Sequence, residues 1–186
     1  MKQDFPEKAL ARASSLELML FDVDGVLTDG LIYIDDDGRE TKAFCSTDGA
    51  GIKALSRMGV ATGVITGRRS NVVDIRAAEL GMKIIIQGAK DKLDALKQVL
   101  ADTGLDPFVV GFMGDDLVDL PILTRVGFSA APANAHPAVK KHVDYVTENF
   151  AGFGAAREAV ELILRAKGLY DAFLSRYLTM EGDAKG

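Results

Sequence analysis

Cysteine is nearly absent from this chain: Cys45 is the single thiol in 186 residues. One thiol forms no internal disulfide, so a reducing compartment is expected, with Cys45 buried and inert. Long apolar runs are missing too, since no stretch approaches the roughly 20 residues that span a bilayer. The opening segment, MKQDFPEKALARASS, lacks the apolar centre of a secretory leader. A soluble, cytoplasmic protein is the expectation. The net charge of −5 is spread without a lysine or arginine run, which argues against nucleic acid or a membrane surface as partner. There is no internal repeat and no low-complexity segment.

What the chain does have is enough apolar material, 48% of its residues, to fill one core, and a single domain over 1–186 is the expectation. Strand-like runs recur at LELMLF (16–21), VATGVI (60–65), KIII (83–86), FVVGFM (108–113) and VDYV (143–146). Between most of them, GIKALSRMG, SNVVDIRAAELG, DKLDALKQVLADTG and DLPILTRVG place apolar residues three or four apart and stop at glycine. This alternation predicts an α/β fold, a doubly wound parallel sheet with helices on both faces. Two stretches depart from it. Residues 31–44, LIYIDDDGRETKAF, read as a protruding β-hairpin turning at Asp37 and Gly38, apolar on both faces of its first arm and so unsuited to stand alone in water. Residues 169–186 form a C-terminal tail that grows polar towards its end.

Ligands of an open α/β sheet sit beyond the carboxyl ends of its strands. The residues there are Asp22 and Asp24 after the first run, Thr66, Gly67 and Arg68 after the second, Lys92 near the third, and Gly114, Asp115 and Asp116 after the fourth. Carboxylates crowded into one crevice repel one another unless a cation lies among them, and oxygen-only ligands favour a hard ion such as Mg²⁺. Asp22, Asp24 and Asp115 form the expected metal site, with Asp22 and Asp115 as its side-chain ligands. With Mg²⁺ on one side of a phosphate and Lys92 on the other, Thr66 and nearby backbone N–H groups can bind the remaining oxygens. One oxygen of Asp22 is then free to attack phosphorus and form an aspartyl phosphate, while Asp24 serves as general acid and then base. Taken singly, these residues could be turn or cap residues. His136 and His142, on a short helical stretch without a further ligand at metal spacing, read as surface or capping histidines.

DVDG at 22–25, ITGR at 65–68, the lysine of QGAKDKL at 87–93 and GDDLVDLP at 114–121 together resemble, in order, the four motifs of the haloacid dehalogenase superfamily phosphatases. The intervals between them leave no room for a cap domain. FDVDGVLTDG, the hairpin, STDGAGI at 46–52 and GFGAARE at 152–158 resemble the capless tetrameric branch acting on 3-deoxy-D-manno-octulosonate 8-phosphate in lipopolysaccharide synthesis. That resemblance implies a homotetramer whose hairpins pair into a shared barrel, with neighbouring subunits completing each site. It also implies substrate binding by Asp24, Thr66, Gly67, Arg68 and Lys92, with Arg76 offered by the next subunit, and allows the tail to reach a neighbouring site. Arg68 points to the eight-carbon acid, because relatives acting on nine-carbon sialic-type phosphates tend to carry glutamate there. Phe153 departs from the arginine found in some members.

Two other functions share some of these residues. A receiver-type signalling domain also gathers an acidic cluster, a hydroxyl and a lysine at strand ends, but its phosphoacceptor follows a middle strand. A non-catalytic oligomerisation module would have no need of Asp22, Asp24, Lys92 and Asp115 together.

Overall fold

The computed structural model describes residues 4–178. Six parallel strands make the central sheet: β1 (Leu18–Phe21), β4 (Ala61–Thr66), β5 (Ile84–Gln87), β6 (Val110–Met113), β7 (Phe128–Ala131) and β8 (Tyr145–Val146). Their order is β5-β4-β1-β6-β7-β8. From β1 the chain builds outwards through β4 and β5, then returns to β6 and continues to β8 on the other side. The strand order therefore reverses between β1 and β6, the position where open α/β sheets form their ligand crevice.

Side chains alternate across this sheet. Met19 and Phe21 join one core with α1 (Glu7–Ala13), α2 (Ser46–Arg57), α3 (Asn71–Leu80), α7 (Ala155–Ala166) and α8 (Tyr170–Leu178). Leu18 and Leu20 point the other way, into a core shared with α4 (Lys92–Thr103), α5 (Leu120–Leu123) and α6 (Pro137–Lys140). Burial on both faces is why the strands read as continuous apolar runs. The doubly wound arrangement expected from the sequence is present, and α3 and α4 end at Gly81 and Gly104 as their glycine stops predict.

Some element boundaries differ from expectation. Asp106 accepts a hydrogen bond from the Phe108 N–H and opens a single 3-10 turn at Pro107–Val109, which delays β6 to Val110. VDYV contributes only Tyr145 and Val146 to a strand. The strand Phe128–Ala131 was not expected, because serine and alanine carry little strand signal, yet all four residues are buried. Helix α2 starts at Ser46, and Cys45, expected to be buried, lies half-buried at its N-cap position with Sγ 3.0 Å from Thr47 Oγ1.

Only the hairpin and α2 lie between the β1 loop and β4, and only α3 and β5 between β4 and α4, so no cap domain is inserted. The hairpin pairs β2 (Tyr33–Ile34) with β3 (Glu40–Thr41) in antiparallel register, closed by the Asp35 N–H donating to Arg39 O and the Gly38 N–H to Asp35 O. Leu31 and Ile34 are each 60% exposed, a large apolar surface for so short a hairpin. The tail is helical over Tyr170–Leu178, where Phe173 is buried, and residues 179–186 lie outside the described residues. No helix among the described residues is long and apolar enough to cross a membrane.

Candidate active site

Strand β1 ends at Phe21, and the N–H of the next residue, Asp22, donates to Met113 O at the end of β6. The two central strands thus deliver Asp22 and, two residues beyond Met113, Asp115 to the same crevice. The chain turns at once after Asp22: Asp22 Oδ1 accepts from the Val23 N–H at 2.7 Å, and the Thr28 N–H reaches back to Val23 O. Gly25 makes this turn with φ +87°, and a side chain there would collide with the Asp115 carboxylate. Glycine is required at Gly25 for both its backbone angle and its lack of bulk.

Lys92 opens α4, held in place because the Asp91 side chain caps that helix through the Leu93 and Asp94 N–H groups. The Lys92 ammonium is buried and donates to Asp22 Oδ2 at 2.6 Å and to Asp119 Oδ1 at 2.5 Å. Asp119 is fully buried, and its other oxygen accepts from the Asp115 and Asp116 N–H groups at 3.0 and 3.2 Å. Asp119 therefore fixes the lysine and the Asp115 turn together. Asp116 faces the next turn, its Oδ1 accepting from the Leu117 N–H, and acts as a cap.

Asp22, Asp115 and Asp119 each offer an oxygen such that all three lie within 4.8 Å of one another. Burial pushes Asp22 up to about 6, against the opposing Lys92 ammonium. Burial, then the Asp22 and Asp119 carboxylates, pushes Asp115 up to about 7. Such crowding relaxes when a cation joins the group, and donors that are all oxygen suit a hard divalent ion. Since Asp119 is already engaged by three protein donors, Asp22 and Asp115 are the carboxylates with capacity for an ion.

The remaining residues named from the sequence divide into two groups. Thr66 is buried at the end of β4, and Gly67 follows with open space around its Cα, the nearest atom to an added Cβ being Ala89 O at 3.7 Å. Arg68 is half-exposed and points towards Asp24, its Nε 3.8 Å from Asp24 Oδ2. Asp24 lies outside the three-carboxylate group, and its Oδ1 accepts a hydrogen bond from Lys42. Arg76 is away from this crevice: it pairs with Glu79 at 2.7 Å and lies over the Phe44 ring at 5.8 Å. His136 and His142 are capping residues as expected, His136 Nδ1 accepting from the Ala138 N–H and His142 Nδ1 lying 2.7 Å from Ala138 O.

Three site residues escaped the sequence reading. Asp119 lies inside the quoted GDDLVDLP, but only its three-residue offset from Asp116, a capping-box spacing, hinted that it turns inwards. Lys42 and Glu40 come from the hairpin, with no local signal for a catalytic neighbour.

Comparison with known proteins accords with this geometry. A family profile for haloacid dehalogenase-like hydrolases matches residues 65–157. The 3-deoxy-D-manno-octulosonate 8-phosphate phosphatase of Escherichia coli is 42% identical over 162 residues, 87% of this chain and 86% of the relative. The chain belongs to the haloacid dehalogenase-like hydrolases. Among solved structures, a probable YrbI family phosphatase from Pseudomonas syringae superposes with a TM-score of 0.92 at 45% identity, covering 93% of this chain and 98% of its own. The 3-deoxy-D-manno-octulosonate 8-phosphate phosphatase of Moraxella catarrhalis, solved with a magnesium ion, a phosphate ion and 3-deoxy-D-manno-octulosonate (KDO), superposes with a TM-score of 0.91. It is 40% identical, over 93% of this chain and 99% of its own. Membership in this hydrolase family sets the receiver-type alternative aside.

Proposed function

We propose that this protein is a Mg²⁺-dependent phosphomonoesterase that hydrolyses 3-deoxy-D-manno-octulosonate 8-phosphate to the free sugar acid and phosphate, in lipopolysaccharide inner-core precursor synthesis. The observation that carries this reading is the buried Lys92 bridging Asp22 and Asp119 beside Asp115, in a chain 40% identical to a phosphatase that holds magnesium, phosphate and the sugar acid.

Asp22 is the nucleophile. Lys92 and the cation, held by Asp22 and Asp115, offset the negative charge of the phosphate that Asp22 must approach. The Thr66 hydroxyl and the Gly67 main chain hydrogen-bond phosphate oxygens. As an Asp22 oxygen bonds to phosphorus, the ester P–O bond breaks and Asp24 delivers its proton to the departing sugar oxygen. Asp24 then takes a proton from water, whose oxygen attacks the aspartyl phosphate, and the Asp22–phosphorus bond breaks to regenerate the carboxylate. Arg68 binds the sugar acid's anionic end, favouring the eight-carbon over a nine-carbon sialic-type substrate.

The exposed apolar hairpin, 31–44, supports assembly into a homotetramer in which Arg76 serves a neighbouring site. The chain acts as one cytoplasmic domain over 1–186. Phosphate release from the eight-carbon and nine-carbon sugar acid phosphates, with and without Mg²⁺, tests the assignment. Faster Mg²⁺-dependent release from the eight-carbon substrate is expected; preference for the nine-carbon substrate, or turnover of neither, contradicts it.

A further inference from the structure

Asp24 is held by a residue outside the four strand-end motifs. The Lys42 side chain is only 2% exposed, and its ammonium donates to Asp24 Oδ1 and, at 2.8 Å, to Glu40 Oε1. A lysine ammonium has donors and no acceptor, so two carboxylates saturate most of its capacity. Glu40 also keeps it from swinging away from Asp24. Arg68 closes the group from the other side, 3.3 Å from Glu40 Oε1. Two cations thus face the Asp24 and Glu40 carboxyl groups, and the buried Oδ2 of Asp24 has no hydrogen-bond partner, although Arg68 Nε lies 3.8 Å from it.

We infer that Lys42 is the positioning residue for Asp24: by holding Oδ1 it fixes the carboxyl rotamer and reserves Oδ2 for the proton that passes to the departing oxygen. The inference rests on the reading of Asp24 as the proton carrier. Three features of the structure support it. The hydrogen bond to Oδ1 restrains the carboxyl group about its own axis, which a backbone turn alone does not do. The ammonium itself is almost inaccessible and the Asp24 side chain only 17% exposed, so water competes for the contact less than at an exposed ion pair. Lys42 also arrives from the end of β3, 18 residues along the chain, where it contributes nothing to the β1 turn that sets the Asp24 backbone. Loss of Lys42 should therefore leave Asp22, Lys92 and Asp115 in place and release only the Asp24 side chain.

The test uses Lys42→Met, which keeps the length and removes charge and donors, with Asp24→Asn and the double variant. Values of kcat/KM, which report the first phosphoryl transfer, are compared for the sugar acid 8-phosphate and for 4-nitrophenyl phosphate, whose departing oxygen needs little protonation. Melting temperature and Mg²⁺ binding are followed alongside. Lys42→Met should lower kcat/KM for the sugar phosphate by about 10- to 100-fold, part of what a general acid contributes, and for the aryl phosphate by about threefold at most. In the Asp24→Asn background the same change should add almost nothing. Should Lys42→Met fail to fold, Lys42→Gln, which keeps a neutral donor, should show the same selectivity at smaller size.

Equal losses on both substrates, a full additional loss in the Asp24→Asn background, or no loss at all would overturn the role given to Lys42. If Asp24→Asn itself slows both substrates equally, the reading of Asp24 fails and the inference falls with it. That outcome is recognisable from the single Asp24 variant alone.

Discussion

Lys92 Nζ lies 2.6 Å from Asp22 Oδ2, joining the first residue of α4 to the last residue before the β1 turn. The same ammonium reaches Asp119 at 2.5 Å, so one buried cation is shared by two buried carboxylates. Lys92→Met is expected to lower kcat by more than about 100-fold, because an electrostatic contact to the reacting phosphate is lost. It should also lower the unfolding free energy of the metal-free protein by about 3 kcal/mol, the cost of leaving a buried charge unpaired. Steady-state kinetics and denaturant titration check the two parts separately.

Asp119→Asn replaces an acceptor of three donors with an amide that brings two donors of its own. A loss of about 1–3 kcal/mol in stability is expected, together with weaker Mg²⁺ binding, since the Asp115 turn loses its tether. Denaturant titration and calorimetry with MgCl₂ would show it. Unchanged metal affinity would separate Asp119 from the cation site.

The raised values of Asp22, about 6, and Asp115, about 7, fix a pH dependence for the metal-free protein. Both lie above the ordinary carboxylate value of 3.8, so between that value and neutrality the folded state holds protons that the unfolded state has released. Their contribution to stability is full at low pH and is lost as pH rises through about 6 to 7. Thermal melts in EDTA should therefore show this contribution shrinking from pH 5 to pH 8, while the gain on adding Mg²⁺ grows over the same range. Calorimetry in buffers of different ionisation heat should detect proton release on metal binding below pH 7. Melting curves with no such divergence would contradict the crowding of these carboxylates.

Glu158, in the first turn of α7, accepts from Tyr145 Oη at 2.6 Å, the Glu148 and Asn149 N–H groups, and Asn149 Nδ2 at 2.6 Å. It anchors the loop whose Gly152 N–H donates to Val26 O, behind the Asp22 turn. Glu158→Ala strands four donors and should destabilise the fold by about 3 kcal/mol, with a fall in kcat/KM at temperatures where the protein remains folded. Thermal denaturation and kinetics at two temperatures test both effects.

Ile34→Lys places a charge on the exposed arm of the hairpin. If the hairpins pair between subunits, sizing by light scattering should shift from tetramer to smaller species, with activity falling in parallel. A wild-type monomer would remove both the barrel and the role of Arg76.

The residues legible in the sequence were those with a local cause. Asp22, Lys92 and Asp115 each follow or open a regular element, and an apolar run ending in acid signals a strand end at a crevice. The exposed hairpin was legible because four consecutive apolar residues precede a turn at Asp37 and Gly38. Strand β7 was not, because Phe-Ser-Ala-Ala is buried by its neighbours rather than by its own strand preference. Lys42 and Asp119 were hidden for a different reason. Their meaning depends on contacts 18 and 27 residues away, with Asp24 and Lys92, which no periodicity encodes.

The most direct test of the central claim is a rapid acid quench during turnover of the phosphate-labelled eight-carbon sugar acid phosphate, followed by mapping of protein-bound label. The account predicts label on Asp22 within the first turnover, discharged by water and absent in Asp22→Asn. Turnover without protein-bound phosphate, or label on another residue, would contradict it.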